Sequence, residues 1–284
     1  MIITKKTNIL IVGLGLIGGS YAMALKSKGF RVSAIDCNQD SINYGLENKI
    51  IDFGSTYVNA DLIDKADLII FTLYPNVFIN WVKENGHLIN SKTVVTDVTG
   101  VKGGIVETVQ NLLPKGVEFI SAHPMAGKEL SGVQNSSAEI FKNANYIVVP
   151  TSINTEENIQ MCESLGEILG FSKISRLSVE EHDEMIGFLS QLTHCIAVSL
   201  MTCNDSEHLV KYTGDSFRDL TRIAKINENM WTELFLLNKD ALLQQMDVFI
   251  NEFVEFRNLL KNEDSVKIKE KMKLSTQRRK YFDK

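Results

Sequence analysis

At 284 residues the chain is longer than one hydrophobic core usually supports, and it is expected to fold as two domains. Its 44% apolar and 23% charged residues are ordinary soluble-protein values, and a net charge of −5 argues against a nucleic-acid or membrane-surface partner. No basic-then-apolar leader and no apolar run of membrane-spanning length stands out. Cys37, Cys162, Cys195 and Cys203 show neither metal-type pairing nor a CxxC pair, so a reduced cytoplasmic protein without a metal centre is expected.

The first element is Asn8-Ile-Leu-Ile-Val12, a buried-strand run that breaks into Gly13-Leu-Gly15-Leu16-Ile17-Gly18 and continues as a helix to Lys28. Strand, glycine turn and helix in that order make a dinucleotide-binding fingerprint. Gly13 permits the tight turn, Gly15 lets the backbone approach a pyrophosphate, and Gly18 lets the helix pack closely on the strand. The helix N-terminus then offers free N–H groups and a favourable dipole to the phosphates. Gly29 ends the helix, Arg31–Ile35 is the second strand, and Asp36 stands at the interval expected of a ribose-binding carboxylate. A carboxylate there accepts from a 2′-OH and repels a 2′-phosphate, and no Arg stands beside it, so NAD is the expected cofactor.

A polar helix over Gln39–Asn48 leads to the strand Ala66–Leu73, stopped by Tyr74-Pro75, with Leu73 at the cofactor end. Strands over Thr93–Asp97, Val117–Ala122 and Tyr146–Pro150 alternate with helices near Val77–Ile89, Val101–Leu113 and Glu156–Leu169. That alternation implies a mostly parallel, doubly wound sheet whose ligands gather at the carboxyl ends of its strands. Two of those ends carry unusual residues, Asp97-Val-Thr-Gly-Val-Lys102 and His123-Pro-Met-Ala-Gly-Lys-Glu-Leu-Ser-Gly132. His123, placed directly after a strand at the nicotinamide edge, is the side chain best suited to take a proton near neutral pH.

From Ser178-Val-Glu-Glu181, a capping-box pattern, glycine becomes sparse and no strand pattern recurs, so residues 176–284 are expected to be all-helical after a Rossmann-type domain over 1–175. Apolar residues three and four apart from Met230 to Leu260 predict a helix of roughly 35 residues, on the order of 50 Å, or a hairpin broken near Asn238-Lys-Asp240. Unbroken, it outruns a domain of ~13 Å radius of gyration, so a second subunit is expected to cover it. Within Gly214–Arg222, Arg218 and Arg222 are candidates for bidentate carboxylate binding.

Taken together, the Gly13–Gly18 turn, Ala122-His-Pro-Met-Ala-Gly127 with Glu129 and Ser131-Gly132, His182-Asp183, Ser190-Gln-Leu-Thr-His194, Phe217-Arg-Asp-Leu-Thr-Arg-Ile-Ala224 and Trp231 resemble the prephenate dehydrogenase family, which includes arogenate dehydrogenases. The resemblance covers nearly the whole chain. It implies oxidative decarboxylation of prephenate to 4-hydroxyphenylpyruvate with NAD, in tyrosine biosynthesis, by a homodimer joined through the helical domain. It also implies that His123 takes the hydroxyl proton, that Arg222 binds a substrate carboxylate, and that His194, Ser190 and Gln191 lie at the substrate. Glu129 and Asp219 match positions that shape the site, and Trp231 one near the subunit interface.

The chain departs from the family where a Gly-Ser pair commonly follows the strand: here Thr99-Gly100 stands, and Thr99 is expected to supply the missing hydroxyl. Two rivals fit less well. Hydroxyacid or imine-reducing dehydrogenases of the same plan use a lysine on the first long helix of the second domain, and Glu180–Cys203 contains none. A non-catalytic NAD-binding protein has no need of His123, His194 and Arg222 together.

Overall fold

The computed structural model describes residues 2–128 and 130–283. Alternation of apolar strands and amphipathic helices produces β1 (Asn8–Val12), α1 (Leu16–Ser27), β2 (Arg31–Ile35), α2 (Gln39–Glu47), β3 (Phe53–Ser55), α3 (Ala60–Asp64), β4 (Leu68–Phe71), α4 (Pro75–Asn85), β5 (Val94–Asp97), α5 (Ile105–Leu112), β6 (Glu118–Pro124), β7 (Asn145–Val149), α6 (Glu156–Leu169) and β8 (Lys173–Arg176). The eight strands form one sheet in the order β3-β2-β1-β4-β5-β6-β7-β8. Strand order reverses between β1 and β4, which places the glycine turn at the switch point where such sheets bind dinucleotides.

Two apolar layers cover the sheet. One packs α1, α2 and α6 on one face through residues such as Tyr21, Leu25 and Leu165; the other packs α3, α4 and α5 through Ile63, Phe78 and Val109. β1 and β4 are buried on both faces, which is why they read as continuous apolar runs.

The sheet departs from the expected pattern at its far side. β7 runs antiparallel to β6 and β8 parallel to β7, and this pairing lengthens β6 to include His123 opposite Ile147 and Pro124 opposite Tyr146. His123 is therefore inside the end of a strand rather than after it. A proline is tolerated there because it is the strand's last residue.

Helices follow: α7 (Val179–Ile186), a π-helical segment Gly187–Leu192, α8 (Thr193–Thr202), α9 (Asp215–Thr221), α10 (Glu228–Leu237), α11 (Lys239–Lys261) and α12 (Ser265–Arg279). Ser178 and Glu181 form the expected capping box at the start of α7. Contrary to the sequence reading, the continuous helical run Val179–Thr202 is long and apolar enough to cross a membrane by length and composition. Its buried His182, Asp183 and Gln191 are hydrogen-bonded to other elements of the same unit, which marks it as a packed helix instead.

The chain divides into two compact units, one ending at Asn238 and one beginning at Lys239. Helices α7 to α10 thus belong with the sheet. The long apolar helix is interrupted at Asn238, whose backbone (φ −111°, ψ 26°) leaves the helical region. In the second unit α11 and α12 are clamped by Lys271, which pairs with Glu252 at 2.9 Å and Glu255 at 2.7 Å.

Candidate active site

The cofactor half of the site is built by the glycine turn. Gly13 has φ +98°, and a Cβ there would meet the Thr72 carbonyl oxygen at 2.8 Å; one at Gly18 would lie 2.0 Å from the Gly13 carbonyl oxygen. Only glycine fits either position. A Cβ on Gly15, by contrast, would meet nothing within 4 Å, so the space beside this residue is open. Gly15, Leu16 and Ile17 are partly exposed, and the first turn of α1 has neither a capping side chain nor an acidic residue. Free N–H groups facing open space suit a pyrophosphate.

Asp36 stands at the end of β2. Its Oδ2 accepts from the Leu14 N–H at 2.5 Å and its Oδ1 from the Asn38 N–H at 2.8 Å, which fixes the carboxylate at the mouth of the turn with lone pairs left for ribose hydroxyls. Leu73 lies against Gly13 on the other side. These residues fit NAD.

The chemical half lies at the carboxyl ends of β5 and β6. Asp97 and Lys102, both without solvent exposure, pair at 3.0 Å beneath it. Asp97 also accepts from the Ser121 hydroxyl at 2.6 Å and the Ala122 N–H at 3.0 Å, while Lys102 Nζ donates to the Ala122 carbonyl at 2.7 Å. The network fixes the residue immediately before His123. A buried ion pair is tolerable only when its remaining donors and acceptors are met, as here.

His123 Nδ1 lies 2.8 Å from His182 Nε2, and His182 Nδ1 lies 2.7 Å from Asp183 Oδ1. Asp183 in turn accepts from the backbone N–H groups of Lys102 (2.9 Å) and Gly103 (2.6 Å). The other nitrogen of His123 faces Gly100: a Cβ built there would lie 3.8 Å from His123 Nε2 and 3.6 Å from Leu234 Cδ2. Burial, then the neighbouring His182 and Lys102, holds His123 well below the ordinary histidine range. His182 is also lowered, chiefly by burial. Both are neutral near pH 7.

Helix α10 closes this edge. Glu233 Oε1 accepts from the Asn76 N–H at 2.5 Å at the start of α4, and Leu234 stands over Gly100. One turn earlier, Trp231 stacks on His194 with ring centroids 3.7 Å apart and planes inclined by 30°. Residues three apart share a helix face, so His194 and Gly100 lie beside successive turns of α10, about 5 Å apart along its axis. His194 Nδ1 donates to the Ser190 carbonyl at 2.8 Å, which fixes the ring's orientation. The segment Arg222–Ala224 packs along α8, which carries His194.

Several expected site residues are placed otherwise. The Thr99 hydroxyl is buried against the Asp97 carboxylate and the Val101 carbonyl (3.0 Å) and receives Lys102 Nζ at 3.2 Å, so it belongs to the ion-pair network and cannot replace a serine facing His123. Gln191 is buried too: its Nε2 donates to the Leu234 carbonyl at 2.9 Å and its Oε1 accepts from Asn238 Nδ2 at 2.7 Å, which makes it a tie to α10. Arg218 pairs with Asp215 at 3.2 Å and donates to the Thr213 carbonyl, within its own turn. Asp219 lies exposed on α9. Glu129 falls outside the described residues. Sequence reasoning assigned no role to Lys102, His182, Asp183 or Asn238; a charged residue at the end of an apolar strand, as at Asp97 and Lys102, was the available signal.

The sequence profile of the prephenate dehydrogenase nucleotide-binding domain matches residues 21–171, and that of the prephenate dehydrogenase dimerization domain matches residues 178–274. The chain belongs to the prephenate dehydrogenase family. A prephenate dehydrogenase of Bacillus subtilis is 31% identical over 92% of this chain and 72% of its own length. One from Lactococcus lactis is 32% identical over 90% and 72%. The crystal structure of prephenate dehydrogenase from Aquifex aeolicus in complex with hydroxyphenyl propionate and NAD+ superposes with a TM-score of 0.90 at 30% identity, covering 98% of both chains. This family of NAD-dependent oxidoreductases accounts for the glycine turn, the carboxylate at the end of β2 and the helical units in one chain.

Proposed function

We propose that this enzyme oxidatively decarboxylates prephenate to 4-hydroxyphenylpyruvate with NAD, as a cytoplasmic homodimer. The observation that supports this reading best is a neutral His123 at the end of β6 whose Nε2 lies on the side of Gly100, away from its bond to His182. Gly13, Gly15, Leu16, Ile17, Gly18, Asp36 and Leu73 would hold the cofactor. When bound, NAD supplies the hydride acceptor.

As the hydroxyl-bearing ring carbon loses hydride, its oxygen becomes a carbonyl and must shed a proton, which neutral His123 accepts at Nε2. Departure of the ring carboxylate as CO2 returns an electron pair to the ring, and the oxygen regains a proton as a phenol. His123 thus ends each turnover neutral. The substrate brings two carboxylates, and Arg222 and His194 would meet them; Arg supplies a bidentate fork. Stacking on Trp231 holds the His194 ring in place.

The test is NADH formation by the purified full chain with prephenate, and separately with arogenate. Prephenate turnover is expected, and Arg222→Lys should raise KM for prephenate well above tenfold, since a charged bond in an enclosed site is worth roughly 2 to 5 kcal/mol, while leaving KM for NAD within about twofold. Turnover of arogenate alone would replace the substrate; turnover of neither would reject the reading.

A further inference from the structure

Three groups from two elements form one hydrogen-bonded line: Asp183 and His182 of α7, and His123 of β6. The donors and acceptors along it can be assigned in order. Backbone N–H groups can only donate, and two of them, from Lys102 and Gly103, point at the Asp183 carboxylate, which is therefore an ionised acceptor. His182 Nδ1, 2.7 Å from the same carboxylate, must carry its hydrogen. A neutral imidazole with hydrogen on Nδ1 presents a lone pair at Nε2, and this is the atom 2.8 Å from His123 Nδ1. His123 then carries its hydrogen on Nδ1. Its lone pair is left at Nε2, on the side toward Gly100.

We propose that His182 and Asp183 are positioning residues that lock His123 into the tautomer whose Nε2 accepts the substrate's proton, with Lys102 holding both ends of the line. Lys102 does so by two bonds: its backbone N–H binds Asp183, and its Nζ binds the Ala122 carbonyl beside His123. Asn238 adds a third tie, donating to the Asp183 backbone carbonyl at 2.9 Å. The assignment requires both imidazoles to be neutral, and burial lowers both. The charged groups facing them are Lys102, which opposes a further positive charge, and Asp97 and Asp183, which favour one. His182 has no solvent exposure, so no water competes for its Nε2. When His123 gains the substrate proton, its Nδ1–H bond to His182 strengthens, and the chain ends on a fixed negative charge.

This inference rests on the proposed reaction for its kinetic consequence, but not for its spectroscopic one. In the full-length enzyme labelled with 15N-histidine, without substrate, His123 should show a protonated Nδ1 and an unprotonated Nε2, its signals assigned by their loss in His123→Asn. Asp183→Asn and His182→Phe should each lower kcat for prephenate at least tenfold, with KM for NAD changed less than threefold, and should let His123 populate both tautomers. The loss can reach about 10⁴-fold where a carboxylate alone sets a catalytic histidine's tautomer. An Nε2–H tautomer of His123 in the unaltered enzyme would overturn the proposal, as would folded variants with unchanged kcat and pH profile. Should both variants fail to fold, the tautomer of the unaltered enzyme decides. If that enzyme shows the expected tautomer yet ignores prephenate, the reaction is wrong and the line of bonds stands.

Discussion

His123 illustrates how environment revises what a residue type suggests. Sequence places its titration near the ~6.5 of an ordinary histidine, whereas burial beside His182 and Lys102 moves it well lower. If the neutral form is the base, as proposed, kcat/KM for prephenate should stay level as pH falls through 6.5 and decline only below it. An acid limb at or above 6.5 would mean that the surroundings favour the imidazolium. The same direction governs stability: below about pH 6.5 the unfolded chain binds protons at His123 and His182 that the folded chain does not, so stability should decrease as pH falls through that range. Thr99 and Gln191 carry the converse lesson. Each is a polar residue in the right stretch of sequence, yet both hydrogen-bond sets are satisfied within the protein, by partners as distant in sequence as Asn238.

At the scale of elements, β1, the glycine turn, α1 and β2 were legible because their chemistry is local: a glycine at φ +98° and a carboxylate at the end of the next strand follow from a few adjacent residues. β3 and β8, of three and four residues, were not, since such short strands exist through their neighbours. Nor was the direction of β7, which depends on the connection from β6 rather than on its own apolar pattern. The turn itself offers a contrast between glycines. Gly18→Ala must displace the Gly13 carbonyl oxygen at 2.0 Å, and overpacking of this kind costs about 1 to 3 kcal/mol, so its thermal midpoint should fall by several degrees. Gly15→Ala has open space and an unstrained backbone; it should keep its midpoint within about a degree but raise Kd for NAD. Calorimetry with and without NAD measures both. An unchanged Kd for Gly15→Ala would place the pyrophosphate elsewhere.

For the whole molecule the open question is what covers the exposed apolar residues of the helices. In the first unit, Phe188, Leu189 and Met201 are about half exposed along the Val179–Thr202 run, which is apolar enough by length and composition to cross a membrane. In the second unit, Phe253 and Val254 on α11 are 65% and 46% exposed, with Phe249 stacked on Phe253 at 6.2 Å. Apolar surface on this scale marks an interaction site, and repeating it on an identical chain makes a self-complementary twofold interface the economical cover. The family's profile over residues 178–274 is that of a dimerization domain, which supports the same reading. Sedimentation at micromolar concentration should therefore give a particle of about twice the 31.9 kDa of one chain. Phe253→Glu, which places a charge where an apolar contact is expected, should shift that equilibrium toward the monomer while leaving NAD binding by the glycine turn intact, since residue 253 lies outside the unit that carries the turn. A particle of single-chain mass in the unaltered protein would leave these residues without a partner and reject the homodimer. A dimer indifferent to Phe253→Glu would move the interface off α11, to the apolar residues of Val179–Thr202.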